Sequence, residues 1–463
     1  MEFGSVIFLL RFLPIFLILY YVVPGRMKNT ILLFGSLFFY AWGKPLYLLP
    51  MVVSVLSDFI HGILIEKHGG KSTAKVLLSS ALFFDLSLLF VFGYADFFIE
   101  TINIFFGVGW LKFGFSMPIG ITIYTLQTIS YVVDVYRGRC KAARNLLDYA
   151  AYVTMFPQLP AGPVLRYHDA RAVLRDRKPS LHEISHGAKR VCVGLAKKIL
   201  IADVAGKLWG DVLETRPIGM STATAWLGIM AYAFRIYYTF SGCADIAIGL
   251  GECMGFHLPE NFDHPFMARS ISDFLRRWNV SLTKWMKEYF YLPVAGNKKG
   301  TFQKIFWTLI TWGLIGLWYG PDWTFVLWGL WMAIFYVVEK QFFGKVLNVL
   351  PSVFGWAYAM IVISLGWLLL AMNDLTDAYA YLKAMFGAGG QGLIDHRFFF
   401  LALENLPMLT LGVILSLPVF SQLIEGLEKG RNGMAIALTR FLEKLYPPVC
   451  LIASIIYLVG RGW

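Results

Sequence analysis

Hydrophobic runs recur along the whole chain, at about 5–19, 29–42, 46–65, 76–94, 115–136, 222–256, 302–318, 323–338, 356–372, 398–420 and 447–460. Most approach the ~20 residues that a helix needs to cross a bilayer. The pattern predicts an all-α polytopic membrane protein with about eleven crossings. Shorter runs near 97–110 and 145–157 suit broken, re-entrant or interfacial helices better than complete crossings. The chain reads as one transmembrane domain over 1–463, with N-terminal helices at 1–144, a central region at 145–340 and C-terminal helices at 341–463.

Composition agrees: 57% hydrophobic, 17% aromatic and 15% charged residues over 463 positions cannot be dispersed on a water-facing surface. Basic residues set the orientation. Arg26 and Lys28, then Lys67, Lys71 and Lys75, then Arg137, Arg139, Lys141 and Arg144 mark three loops as cytoplasmic, while alternate loops hold only Lys44 or Lys112. The N-terminus is therefore expected outside, in a multi-pass membrane protein. Its first segment has neither a basic leader nor a small-residue cleavage site, so it reads as a retained helix.

Lys and Arg outnumber Asp and Glu by 41 to 29, and the membrane itself explains most of the excess. Membrane lipids are the expected partners of this charge; nucleic acid is not, because no soluble domain offers a basic face. The five cysteines show no metal-ligand spacing and no disulfide framework, so no metal site is expected. Two glycine-rich pieces fail as phosphate loops. His68-Gly69-Gly70-Lys71-Ser72 has Ile65 where the first glycine is required, and Gly387-Ala388-Gly389-Gly390-Gln391-Gly392 lacks the Lys-Ser/Thr that should follow, so the latter reads as a flexible loop.

Between Tyr149 and Trp323 the apolar helices are mixed with polar, Gly- and Pro-bearing pieces that lipid does not tolerate. A site belongs there. Phe156-Pro157-Gln158-Leu159-Pro160-Ala161-Gly162-Pro163 forbids a continuous helix and makes an elbow, either a kinked connection or a ligand contact through its backbone and Gln158. Arg235 and Asp245 lie inside one long apolar stretch, either as functional groups or as a structural ion pair. From Ser272 to Tyr291, Trp278, Leu282 and Trp285 fall on one helical face, with Arg276, Arg277, Lys284 and Lys287 supplying positive charge. That pattern fits an interfacial amphipathic helix, or cationic and aromatic groups that receive an anionic acyl donor. Finally, Gly316-Leu317-Trp318-Tyr319-Gly320, followed by Pro321-Asp322-Trp323, interrupts two apolar runs among clustered tryptophans.

These pieces, with Arg11-Phe12-Leu13-Pro14, Met117-Pro118-Ile119-Gly120-Ile121-Thr122, Tyr131-Val132-Val133-Asp134-Val135-Tyr136-Arg137-Gly138, Phe240-Ser241-Gly242, Asn261-Phe262 and Arg276-Arg277-Trp278, resemble membrane-bound O-acyltransferases of the alginate O-acetyltransferase kind. The resemblance covers most of the chain. It implies a ring of helices around a thin, irregular centre, through which an acyl group, most simply acetyl, passes from a cytoplasmic thioester toward an exported polysaccharide or cell-wall polymer. It implies no bound cofactor; the donor is a substrate, acetyl-CoA or an acyl carrier protein. A separate extracytoplasmic acyltransferase is the implied partner.

The departures fall on the chemical centre. Asn279 and Tyr319 stand where similar proteins usually have histidine, and Cys243 and Arg235 also depart from the usual pattern. A histidine titrating near ~6.5 takes a hydroxyl proton at neutral pH, whereas a phenol near ~10 holds its own. Tyr319 therefore needs a neighbouring cation or another base, or else acts by donating a hydrogen bond to a thioester carbonyl. His257 and His264 are the histidines nearest in sequence and read as loop or interface residues. The expected reaction centre is Tyr319 and Asn279 with Trp318 and Trp278 as walls, Arg276 and Arg277 for the donor, and Asp245 for polar support. The alternative is a non-catalytic scaffold or acyl conduit that kept the fold; a small-solute transporter is a third reading.

Overall fold

The computed structural model describes residues 1–214, 219–296, 300–372, 374–418 and 433–460. Among them regular structure is helical, apart from one isolated bridge between Met220 and Gly390. Four helices, Pro45–Lys67, Ser72–Phe106, Trp323–Phe343 and Ser352–Ala371, are long and apolar enough to cross a membrane. A fifth crossing results if His396–Glu404 and Leu406–Ser416, bent by 67° at Asn405, form one broken span. The other apolar runs fold as helices that fall short of that length or apolarity among the described residues. The run at 97–110 does not stand alone: Ala95–Phe106 continues the helix begun at Ser72 through one widened turn at Phe90–Tyr94.

The chain forms two compact units, Met1–Val191 with Cys243–Pro259, and Cys192–Gly242 with Glu260–Trp463. In the first, the helices Leu48–Lys67, Ser72–Leu89 and Ile121–Tyr136 pack on one another, and the last is buried along nearly its whole length. An aromatic cluster ties the N-terminus to the 156–163 elbow: the Phe156 ring meets Phe16 at 4.9 Å, Phe12 at 5.2 Å and Phe39 at 5.4 Å. Arg177 is buried here and meets neutral partners, donating from Nε to the Tyr20 hydroxyl at 2.7 Å and from Nη1 to the Asn29 side-chain oxygen at 2.6 Å, while Nη2 has no partner among the described residues.

The second unit is organised by the antiparallel pair Thr301–Tyr319 and Trp323–Val338, joined by a three-residue turn in which Asp322 caps the second helix through Thr324 N at 2.8 Å. Their backbones meet at Gly316 and Gly329. A methyl group on Gly316 would fall 2.2 Å from the Phe325 carbonyl oxygen, and one on Gly329 would fall 2.1 Å from that of Trp312. The second helix also carries Glu339 at its end, buried, whose carboxylate accepts the backbone N–H groups of Ile271 and, at 2.8 Å, of Ser272. A negative group at these orphan donors fixes the start of the helix Ile271–Arg277.

Gly329→Ala is expected to lower stability by about 1–3 kcal/mol through overpacking of this seam. Gly313→Ala, whose new methyl would find nothing nearer than Leu330 at 3.7 Å, is expected to be tolerated. Thermal unfolding of both variants in one detergent makes the comparison.

Candidate active site

Trp278, Asn279 and Tyr319 converge. The helix Ile271–Arg277 stops at Trp278, and a second helix, Val280–Trp285, begins after Asn279, which lies in the left-handed region at φ 43°. The one amphipathic helix expected from Trp278, Leu282 and Trp285 is therefore two short ones, although all three side chains are buried. Asn261 causes the break. Its backbone carbonyl accepts from Val280 N at 2.9 Å, and its side-chain oxygen accepts from Ser281 N at 3.0 Å and Ser281 Oγ at 2.8 Å. With the next turn committed to Asn261, the chain at 279 must reverse its twist, which asparagine does more readily than most residues.

That reversal frees the Asn279 amide, which donates to the Tyr319 hydroxyl at 2.9 Å, while the Trp278 indole N–H donates to the same oxygen at 3.0 Å. The phenol sits at the last residue of its helix, where Gly320 ends it. Three rings stand edge-on around it: Trp318 and Trp328 at 5.3 Å and Phe240 at 5.7 Å. Both acceptor positions of the hydroxyl are filled by neutral donors. Its own proton has no acceptor among the described residues, and neither indole N–H of Trp318 nor Trp328 has one.

A cleft of about 380 Å³ opens in the same unit, lined by Asp263, His264, Met267, Arg269, Asp273, Arg277 and Pro418. Arg277 donates to Asp273 at 3.0 Å and to the Asp263 carboxylate at 3.3 Å. Arg276 is exposed and pairs with Asp273 as well. Burial pushes the Asp273 carboxyl up, but the hydrogen bonds and charges of Arg276 and Arg277 outweigh it and hold it below the usual carboxylate range. His264, left-handed at φ 43°, places Nδ1 3.2 Å from the Ser416 carbonyl. A carbonyl only accepts, so Nδ1 carries the hydrogen of this bond.

The remaining expected residues lie elsewhere. Asp245 belongs to the first unit and is ion-paired to Arg190 at 3.0 Å, while Arg235, in the second, is exposed and makes no ion pair among the described residues. Of the two readings of Arg235 and Asp245, the mutual ion pair gives way to one between Asp245 and Arg190 of the helix Leu181–Ala196, whose Gly187 carbonyl approaches Gly249 closely. Gln158, also in the first unit, is fully buried with both amide atoms unpartnered among the described residues, and the elbow around it closes through Gly162 N on the Gln158 carbonyl at 2.7 Å. The Gly387–Gly392 loop is tied down: the Gly392 and Leu393 carbonyls accept from Thr222 N and Ala223 N, the first donors of the helix Thr222–Met254. Among the described residues no cluster of His, Cys, Asp and Glu is arranged to hold a metal ion. Sequence reasoning missed Asn261, Glu339 and Phe240. Asn261 stood inside the Asn-Phe motif, but its role as a clamp on 280–281 is a long-range contact that spacing does not disclose.

The description "MBOAT, membrane-bound O-acyltransferase family" matches residues 142–363. The chain is 36% identical over 400 residues to the probable alginate O-acetylase AlgI of Azotobacter vinelandii, covering 85% of this chain and 80% of that one. It belongs to the membrane-bound O-acyltransferase family. The probable alginate O-acetylase AlgI of Pseudomonas aeruginosa is likewise 36% identical over 397 residues, 84% of this chain and 75% of the relative. A peptidoglycan O-acetyltransferase of Helicobacter pylori is 30% identical over 427 residues, 84% and 81% of the two chains. As a member of this family the protein is a membrane O-acyltransferase, and the convergence of Tyr319 with Asn279 and Trp278 falls inside the matched segment.

Tyr319→Phe should leave the Trp278 and Asn279 donors unpaired and cost about 1–3 kcal/mol of stability, read by thermal unfolding. Asp273 supplies a pH test. Its carboxyl is held low in the folded protein, so its contribution is fully present above the ordinary carboxylate pKa of about 3.9 and is lost as pH falls through the lower folded value. The stability difference between the parent and Asp273→Asn should therefore stand at neutral pH and disappear in acid.

Proposed function

We propose that this protein transfers an acyl group, most simply acetyl, from a cytoplasmic thioester, acyl-CoA or an acyl carrier protein, toward an exported polysaccharide or cell-wall polymer. Its likeness to probable alginate O-acetylases and to a peptidoglycan O-acetyltransferase supports a polymer acceptor. In this reading the chain is one domain of about eleven crossings in a bacterial inner membrane, its N-terminus outside, counting shorter and broken helices with the long ones. A separate acyltransferase on the outer side completes the transfer to the polymer.

The carrying observation is the saturation of Tyr319 as an acceptor. With Trp278 and Asn279 donating into its oxygen, the phenol has only its O–H left to offer, and that proton is unclaimed. Such a group suits a thioester carbonyl whose oxygen gains negative charge as the acceptor hydroxyl attacks. The C–O bond forms, the C–S bond breaks, and the departing thiolate, a base near ~8.5, takes up the hydroxyl proton in net balance. Tyr319 is then an oxyanion donor and not the base that a histidine would be, and Trp318 and Trp328 wall the acyl group. The cleft with Arg269 and Arg277 suits the anionic end of the donor, with exposed Arg276 at its approach.

A second reading, a scaffold or conduit without turnover, is favoured by one fact only: neither Asn279 nor Tyr319 is a base at neutral pH. Consumption of labelled acetyl-CoA by the protein in nanodiscs separates the two. The enzyme reading expects turnover in the parent and a loss of about 10²–10³-fold in Tyr319→Phe, as for removal of an oxyanion donor. A parent without turnover that gains it as Tyr319→His supports the scaffold.

A further inference from the structure

The first unit buries two carboxyls among its membrane helices, and the acyl-transfer reading uses neither. Asp58 lies on the span Pro45–Lys67 and Asp85 on Ser72–Phe106; both are shut off from solvent. Ser54 Oγ reaches both, at 3.3 Å from Asp58 and 3.1 Å from Asp85 Oδ1, and the two carboxyls are themselves within hydrogen-bonding reach of each other. Thr128 Oγ1, from the helix Ile121–Tyr136, donates to Asp85 Oδ2 at 2.9 Å. Each oxygen of Asp85 thus meets a hydroxyl, whereas Asp58 Oδ1 has no partner among the described residues.

Among the described residues no counter-charge bonds to the pair. Besides Ser54 and Thr128, the groups facing the pair are Tyr124 and Tyr131 from Ile121–Tyr136, and Tyr149 from Leu146–Val153. No Lys, Arg or His among the described residues bonds to either carboxyl. The nearby charges are committed elsewhere: Glu66 to Arg144, Asp134 to His168 and Arg139, and His61 to Ser57 and Ser80. Among the described residues the hydroxyls of Tyr124 and Tyr149 are fully buried and unpartnered, so the cluster holds more hydrogen-bonding capacity than its own members use. Two adjacent carboxyls cannot both be ionised inside a bilayer without a cation.

We propose that Asp58 and Asp85 form a proton-binding site within the membrane, holding one exchangeable proton between the two carboxyls at neutral pH. Asp85, with a donor on each oxygen, is the anionic member, and Asp58 carries the proton. The arrangement is the chemistry of a proton-relay element. It stands whether or not the chain transfers acyl groups, so the failure of either reading leaves the other in place.

Infrared spectroscopy in nanodiscs reads it through the carbonyl stretch of a protonated carboxyl. The parent at neutral pH should show such a band, shifted in D₂O, lost in Asp58→Asn and displaced in Asp85→Asn. Should Asp58→Asn fail to fold, the displacement in Asp85→Asn carries the test. The proposal is overturned if no band responds to either substitution, if the band does not shift in D₂O, or if it appears only when sodium is withdrawn, which marks a metal-cation site.

Discussion

The candidate site depends on one clamp, the seizure of Val280 and Ser281 by Asn261. Inside a membrane protein, backbone donors must find partners within the chain, and these two find theirs in a loop nearly twenty residues upstream. The cost is a left-handed residue at 279, and that reversal releases an amide where a helix would have consumed or misdirected it. Glu339 acts at the other end of the preceding helix, holding its first donors. Between the two anchors the segment 271–281 has little freedom, so Trp278 and Asn279 arrive at Tyr319 pre-oriented.

The helical class and the longest spans are written in the chain at the scale of apolar runs, whereas four helices, or five with the bent pair, and not eleven, are long and apolar enough to cross a membrane among the described residues. The long spans Pro45–Lys67 and Ser352–Ala371 fall where the runs at 46–65 and 356–372 predict them. The proline-rich elbow at 156–163 forms no helix, as three rings without N–H groups dictate. Legibility fails where contacts are remote in sequence. The face shared by Trp278, Leu282 and Trp285 looks helical and is buried as if helical, yet Asn261 cuts it. Asp245 advertised itself as an expensive charge, but nothing local named Arg190 as its partner. Asp58 and Asp85 drew no notice because each is a single acidic residue in a long apolar run; only their juxtaposition through Ser54 makes them unusual.

The same principle separates wall from chemistry at Tyr319. The rings of Trp318, Trp328 and Phe240 enclose the phenol by shape, and neutral N–H groups meet its oxygen. No positive charge contacts that oxygen among the described residues. The family motif locates the site, while the donors around it define the kind of group that can work there.

The glycine seam gives this site a particular kind of tolerance. Because Gly316 and Gly329 bring the two helices to backbone contact, the path of the chain up to residue 319 is set by main-chain surfaces and not by the side chain that follows. Position 319 behaves as a socket whose occupant can be exchanged while the walls stay in place. A lineage can therefore retune or silence its proton chemistry through one codon, without asking any helix to move.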